Sequence, residues 1–187
     1  KFDFYNAKDN SYWVNDFVYN FSSNWLQNPD EAESVYFKYE DKIINREYDS
    51  LPPLVFSDEF LSTLNQMIDL QYQQSFLQYA LTIIHIFYFD NEEIELSPFQ
   101  DIFMKLKSIF HDVSDERKDQ ILKMLSCAVV HSQESHDFII DLFPVEMLLI
   151  LLKQKIDLLD SISCLVNGYS IKENDEEQSK NILRLSK

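Results

Sequence analysis

The chain has 187 residues, of which 45% are hydrophobic, enough to bury a sizeable core as one domain or as several stacked repeats, and this excludes disorder over most of its length. Glycine occurs once and proline five times, too few for the tight turns of a β-sandwich or the glycine-rich loop of a nucleotide-binding α/β domain. Acidic residues outnumber basic ones 32 to 16, for a net charge of −16, which repels phosphate backbones and anionic lipid and sets direct nucleic-acid binding aside; the excess either favours a basic peptide or protein as partner or simply keeps an apolar helical array soluble.

Residues 1–50 are rich in aromatics, Asn and Asp, with a turn signal at Asn28-Pro29-Asp30. Trp13, Phe17, Phe21 and Trp25 recur at four-residue steps. They predict an amphipathic helix that caps a repeat array, or a docking segment that folds onto a partner or onto the chain's own groove. Leu51-Pro52-Pro53-Leu54 breaks the chain, and Ser57 then stands as N-cap before Asp58 and Glu59. A helix over 58–70 carries Phe60, Leu61, Leu64, Met67 and Ile68 at the spacing of a buried stripe. A longer, mostly apolar helix covers 73–89 and ends at Asp90-Asn91-Glu92-Glu93.

Ser97-Pro98-Phe99-Gln100 combines an N-cap serine, a proline at the first helical position and a capping-box glutamine. It is the clearest helix start in the chain, and opens a helix over 98–110. Ser114 caps another over 115–131. Helical runs follow near 135–142, at 145–152 after Pro144, and at 155–167, where Asn167-Gly168 reads as a helix stop. A last amphipathic stretch at 173–185 shows Ile182, Leu183 and Leu185.

Self-similarity separates a repeat array from an ordinary bundle. The run Ile121 to Val130 lines up with Leu158 to Asn167 at a spacing of 37 residues, and Phe76 to His85 fits the same frame at 45. A capped helix, a short connection and a second, nearly all-apolar helix of the Leu158-Leu159-Asp160-Ser161-Ile162-Ser163-Cys164-Leu165-Val166-Asn167 kind resemble the armadillo and HEAT repeat class over residues 55–167, with Ile121 to Leu152 the best match. The resemblance implies an all-α fold, an α-solenoid forming a right-handed superhelix of about three helical hairpins. Residues 1–50 form the aromatic N-terminal segment or cap, and 51–187 the repeats. The chain departs from the family in lacking the glycine between the first two helices of a repeat. It also lacks the Trp-x-x-x-Asn arrays of import receptors: the asparagine position is His85, Val130 or Asn167, and the tryptophan position is Leu81, Ser126 or Ser163.

Residues able to do chemistry are sparse. No phosphate loop, His-Glu-x-x-His or nucleophile elbow occurs, and neither catalytic, metal-binding nor cofactor-binding residues are expected. Cys127 and His131 are one helical turn apart, with Glu134 and His136 nearby, but a buried structural cysteine is the expected role. His85 and His111 are lone histidines on helical patterns. Gln74, Gln78, Thr82 and His85 fall on one face of an otherwise apolar helix. Lys123 and Asp160 are the repeat-equivalents of Gln78. If the second helices line a concave surface, these residues and Asn167 look out from it; a solvent-facing stripe explains them equally well.

Two cysteines, Cys127 and Cys164, make no disulfide framework. There is no visible signal segment, and no apolar run reaches the roughly 20 residues that span a bilayer. A reducing compartment, cytoplasmic or nuclear, is expected, with no membrane span. Because the chain starts at Lys1 and stops just after an apolar pattern, it reads as a piece of something longer. The expected function is a non-enzymatic protein–protein interaction scaffold or adaptor that uses the concave surface of a repeat array, without cofactor. The alternatives are a nucleocytoplasmic transport adaptor for basic cargo, or a structural subunit of a cytoskeletal or ribonucleoprotein assembly.

Overall fold

Asn28 closes one helix and opens the next, and that economy sets the style of the fold. The structure is a computed structural model, and it describes residues 11–69, 74–89 and 96–169. Among them the chain is all-α, with no strand. Contacts divide it into two compact units, one up to Phe87 and one from Tyr88 onward.

In the first unit, α1 (Tyr12–Gln27) and α2 (Pro29–Ile44) form a hairpin. The Asn28 side chain accepts from the Asp30 N–H, and Pro29 takes the first helical position, where no backbone donor is needed. All four of the spaced aromatics Trp13, Phe17, Phe21 and Trp25 are buried. Helix α2 ends on Arg46, whose φ of 53° is the left-handed corner that glycine would usually take, with Glu47 N–H reaching back to Lys42 O. Helices α3 (Asp58–Met67), with Ser57 as N-cap, and α4 (Gln74–Ile84), which runs into the π-helical turn His85–Phe89, complete the unit.

Ring packing fixes the direction of these helices. Phe17 and Phe21 both meet Phe60 edge-on at 6.3 Å, and Trp25 Nε1–H donates to Gln66 further along the same two helices. Helices α1 and α3 therefore run in the same sense. Tyr36 stacks on Tyr79 at 4.2 Å, and beyond α2 the Tyr48 hydroxyl donates to Ile86 O, so α2 and α4 also run in the same sense.

The second unit contains α5 (Gln100–Ile109), α6 (Asp115–Ala128), α7 (Gln133–Leu142), α8 (Val145–Gln154) and, after the 3-10 turn Ile156–Leu158, a helix α9 over 159–169. Phe103 packs near Phe138 and Phe110 near Phe143, which aligns α5 with α7. Lys155 pairs with Asp115 at 2.7 Å where α6 begins, and Gly168 lies against Val129 where it ends, which aligns α6 with α9.

Several sequence expectations are corrected. The Ser97 capping box does not form: Ser97–Phe99 is a 3-10 turn, α5 starts at Gln100, and no side chain caps it. Leu96 is already in a helical conformation, so Ser97 lacks the extended backbone from which a hydroxyl reaches the N–H groups of the first turn. Gly168 does not stop a helix. Its φ is not positive, and the helix continues to Tyr169, the last residue described before 170. Cys127 is half-buried rather than buried, and Cys164 is exposed. The helix end at 90–93 and the stretch 173–185 lie outside the described residues. No described helix is long and apolar enough to cross a membrane.

Candidate functional site

The polar stripe of α4 begins at Gln74, whose side chain lies outside the described residues, and continues through Gln78, Thr82 and His85, each half-buried. Thr82 is turned toward α2, where its hydroxyl shares a hydrogen bond with the Tyr36 hydroxyl. Burial, helped by the charge of Glu40, pushes the Tyr36 hydroxyl up to about 12. Its stacking partner Tyr79 donates to Glu33 at 2.8 Å and is raised above the usual tyrosine range, by burial first and then by that carboxylate. Phe37 meets Tyr79 edge-on at 5.6 Å while remaining 54% exposed. An open aromatic thus lies beside carboxylates along the seam of α2 and α4.

The bases of α2 lie toward the other neighbour. Lys38 sits over the Tyr39 ring and pairs with Asp16 of α1, and Lys42 sits over the Trp13 ring of α1. Asp16 is held below the usual carboxylate range, first by the hydrogen bond it accepts from Tyr39. No base comes from α3 or α4, because the stretch from Glu47 to Met104 contains ten acidic residues and no Lys or Arg. That gap is visible in the sequence, although the net charge of the whole chain does not show it.

In the second unit Lys123 and Asp160, equivalent positions in the 37-residue alignment, feel each other's charge. Lys123 pairs with Asp119 at 2.7 Å, and Asp119 first, then Asp160 and Cys164, hold its ammonium above the usual lysine range. Asn167 is exposed on α9, as are Asp160, Ser163 and Cys164. Gly168 permits this arrangement: a Cβ there would lie 2.5 Å from Val129 Cγ1, so only glycine lets the two helices close to this distance.

No protein-family model, no curated protein and no solved structure matches the chain.

The histidines considered for chemistry are occupied in packing. His131 Nε2 is 2.7 Å from Phe89 O; a carbonyl can only accept, so this nitrogen carries the proton. His136 is buried in α7 and donates from Nε2 to Tyr169 O, while its Nδ1 lies 3.0 Å from Asp137. His111 is exposed beyond α5, edge-on to Phe110. Among the described residues no group of three or more His, Cys, Asp and Glu side chains is arranged to hold a metal ion. The two faces bring together rings, carboxylates and amides along seams between helices. Phe37, Glu33 and Glu40 are the residues that sequence reasoning missed, because aromatic density in residues 1–50 read as core or docking motif without distinguishing which rings stay open.

Proposed function

We propose that the chain is a non-enzymatic protein–protein interaction scaffold or adaptor, built as an armadillo/HEAT-like α-solenoid, that takes a basic peptide segment of another protein. The observation that carries this reading is the recurrence of a similar spacing. Partners on or at the ends of the aligned helices are separated by 41 residues in Trp25 and Gln66, 46 in Glu33 and Tyr79, 35 in Phe103 and Phe138, and 40 in Asp115 and Lys155. Stacking of hairpins about 40 residues long produces such a spacing. The spacing of α1 from α3 supports a reading in which α1 and α2 are a hairpin of the same kind as those that follow.

Stacked hairpins leave ladders of side chains along one set of helices, suited to an extended segment. Acidic charge with exposed Phe37 favours arginine and lysine side chains, which stack on rings as well as pair with carboxylates. A sequence with only two cysteines and no disulfide framework suits a reducing compartment, cytoplasmic or nuclear. The test is isothermal titration of the full chain with peptides of matched length and basic, neutral or acidic charge, at low and high salt. The basic peptide is expected to bind alone and to lose at least tenfold in affinity as salt rises through the range where exposed charges are screened. Equal binding of all three, or a salt-insensitive complex, overturns the proposal.

A further inference from the structure

Helix α8 is apolar around most of its circumference, so a buried position on several sides is what its sequence suggests. The structure buries only Leu148 and Leu151. On the opposite side Glu146, Leu149, Ile150 and Lys153 are all exposed, Leu149 to 50% and Ile150 to 58%. Steps of three, one and three residues place these four on one continuous stripe of an α-helix. Just beyond, Ile156 is 68% exposed. A contiguous apolar patch flanked by charge marks an association surface.

The order along the stripe specifies what fits it. It runs acid, apolar, apolar, base. Two copies of α8 laid antiparallel about a two-fold axis between Leu149 and Ile150 put each Leu149 against the partner's Ile150. The same operation puts each Glu146 against the partner's Lys153. A parallel pairing would instead set Glu against Glu and Lys against Lys, and would align the helix dipoles unfavourably. We infer that α8 is an isologous interface through which the chain pairs with a second copy of itself, antiparallel about that axis. One helix of ten residues is small beside the roughly 1,200 Å² of stable interfaces, so the dimer is weak, with a dissociation constant of about 10–100 μM.

Sedimentation equilibrium of the full chain over roughly 1–500 μM tests this, because mass action makes the dimer fraction rise with concentration. The native mass is expected to climb from 22.3 kDa toward twice that value. Ile150→Glu, a change at an exposed position that leaves the core intact, is expected to hold the chain monomeric. Glu146→Lys sets Lys against Lys at both ends and is expected to raise the dissociation constant about tenfold. Adding Lys153→Glu to it restores opposite charges and is expected to restore native association, and the same double variant controls for folding. A native chain that stays monomeric throughout means that another segment or a different partner covers the stripe, and overturns the inference. So does a dimer indifferent to Ile150→Glu, or a double charge swap no better than the single one.

Discussion

Gly168→Ala separates two contributions of opposite sign. In a helix interior, alanine is preferred over glycine by about 1 kcal/mol, so propensity alone makes the substitution stabilising. The structure reverses that expectation. The new Cβ would stand 2.5 Å from Val129 Cγ1, more than an ångström inside the roughly 3.5–4.0 Å that two carbons prefer. Val129 is fully buried and β-branched, with one strongly preferred rotamer, so it cannot swing aside cheaply. Overpacking of this kind costs about 1–3 kcal/mol, leaving Gly168→Ala destabilising by about 1 kcal/mol net. In a Val129→Ala background the clash disappears and the same change is expected to stabilise by about 1 kcal/mol, a coupling of about 2 kcal/mol between the two sites. Both tryptophans lie in the first unit, so their fluorescence does not report this seam. Hydrogen exchange read by mass spectrometry on peptides from α6 and α9 does. Slower exchange in Gly168→Ala than in the native chain would refute the close approach of α6 and α9.

Buried tyrosines set the alkaline limit. Burial raises Tyr36 to about 12 and lifts Tyr79 and Tyr169 above the usual range, so between about pH 10, the ordinary tyrosine value, and the folded values the unfolded chain has released protons that the folded one keeps. Stability is therefore full below pH 10 and is lost as pH rises through the folded values; tyrosinate absorbance should appear together with loss of helical circular dichroism, and early ionisation of these rings without unfolding contradicts their burial. At the acid end the sign is opposite: Lys155, through its hydrogen bond, holds Asp115 below the ordinary carboxylate value, and His136 does the same for Asp137. Their contribution is present above about pH 4 and lost as pH falls through the lowered values, so Asp115→Asn should flatten the acid limb of an unfolding titration and an unchanged limb counts against the bridge. Ser132→Ala removes the hydroxyl that accepts from the Ser135 N–H at 3.0 Å and should cost about 1 kcal/mol, with α7 exchanging faster; a change within error removes the cap from the account.

Much of the fold was legible because the signals were local. Ser57, Ser114 and Pro144 mark helix starts through backbone chemistry that needs no tertiary partner, and the structure uses all three where the sequence placed them. Ser97 carried an equally good signal and failed, because the Pro98 turn and the helical Leu96 before it are decided by packing around Phe99, which is buried. Gly168 was misread for a related reason. A glycine after Asn reads as a left-handed stop, and only the neighbouring helix reveals that its missing Cβ is a spacing device. Of the candidate face, the 37-residue alignment set Lys123 and Asp160 at equivalent positions, and Asp160 lies close enough to Lys123 for its charge to be felt there. Thr82 looked like a free polar position because nothing local says that Tyr36, forty-six residues earlier, lies beside it. The exposed stripe of α8 is not legible either, since an apolar run does not say which of its residues a neighbouring element will cover.

Hydrogen-exchange footprinting of the full chain with a saturating basic peptide most directly tests the claim that seams between stacked helices form a binding face for basic segments. Protection is expected in α2 and α4, around Phe37 and Gln78, and should vanish in the Glu33→Lys, Glu40→Lys double variant while exchange in the helices of the free protein stays native. Protection confined to helices away from these seams, or binding that survives the charge reversal undiminished, would contradict it.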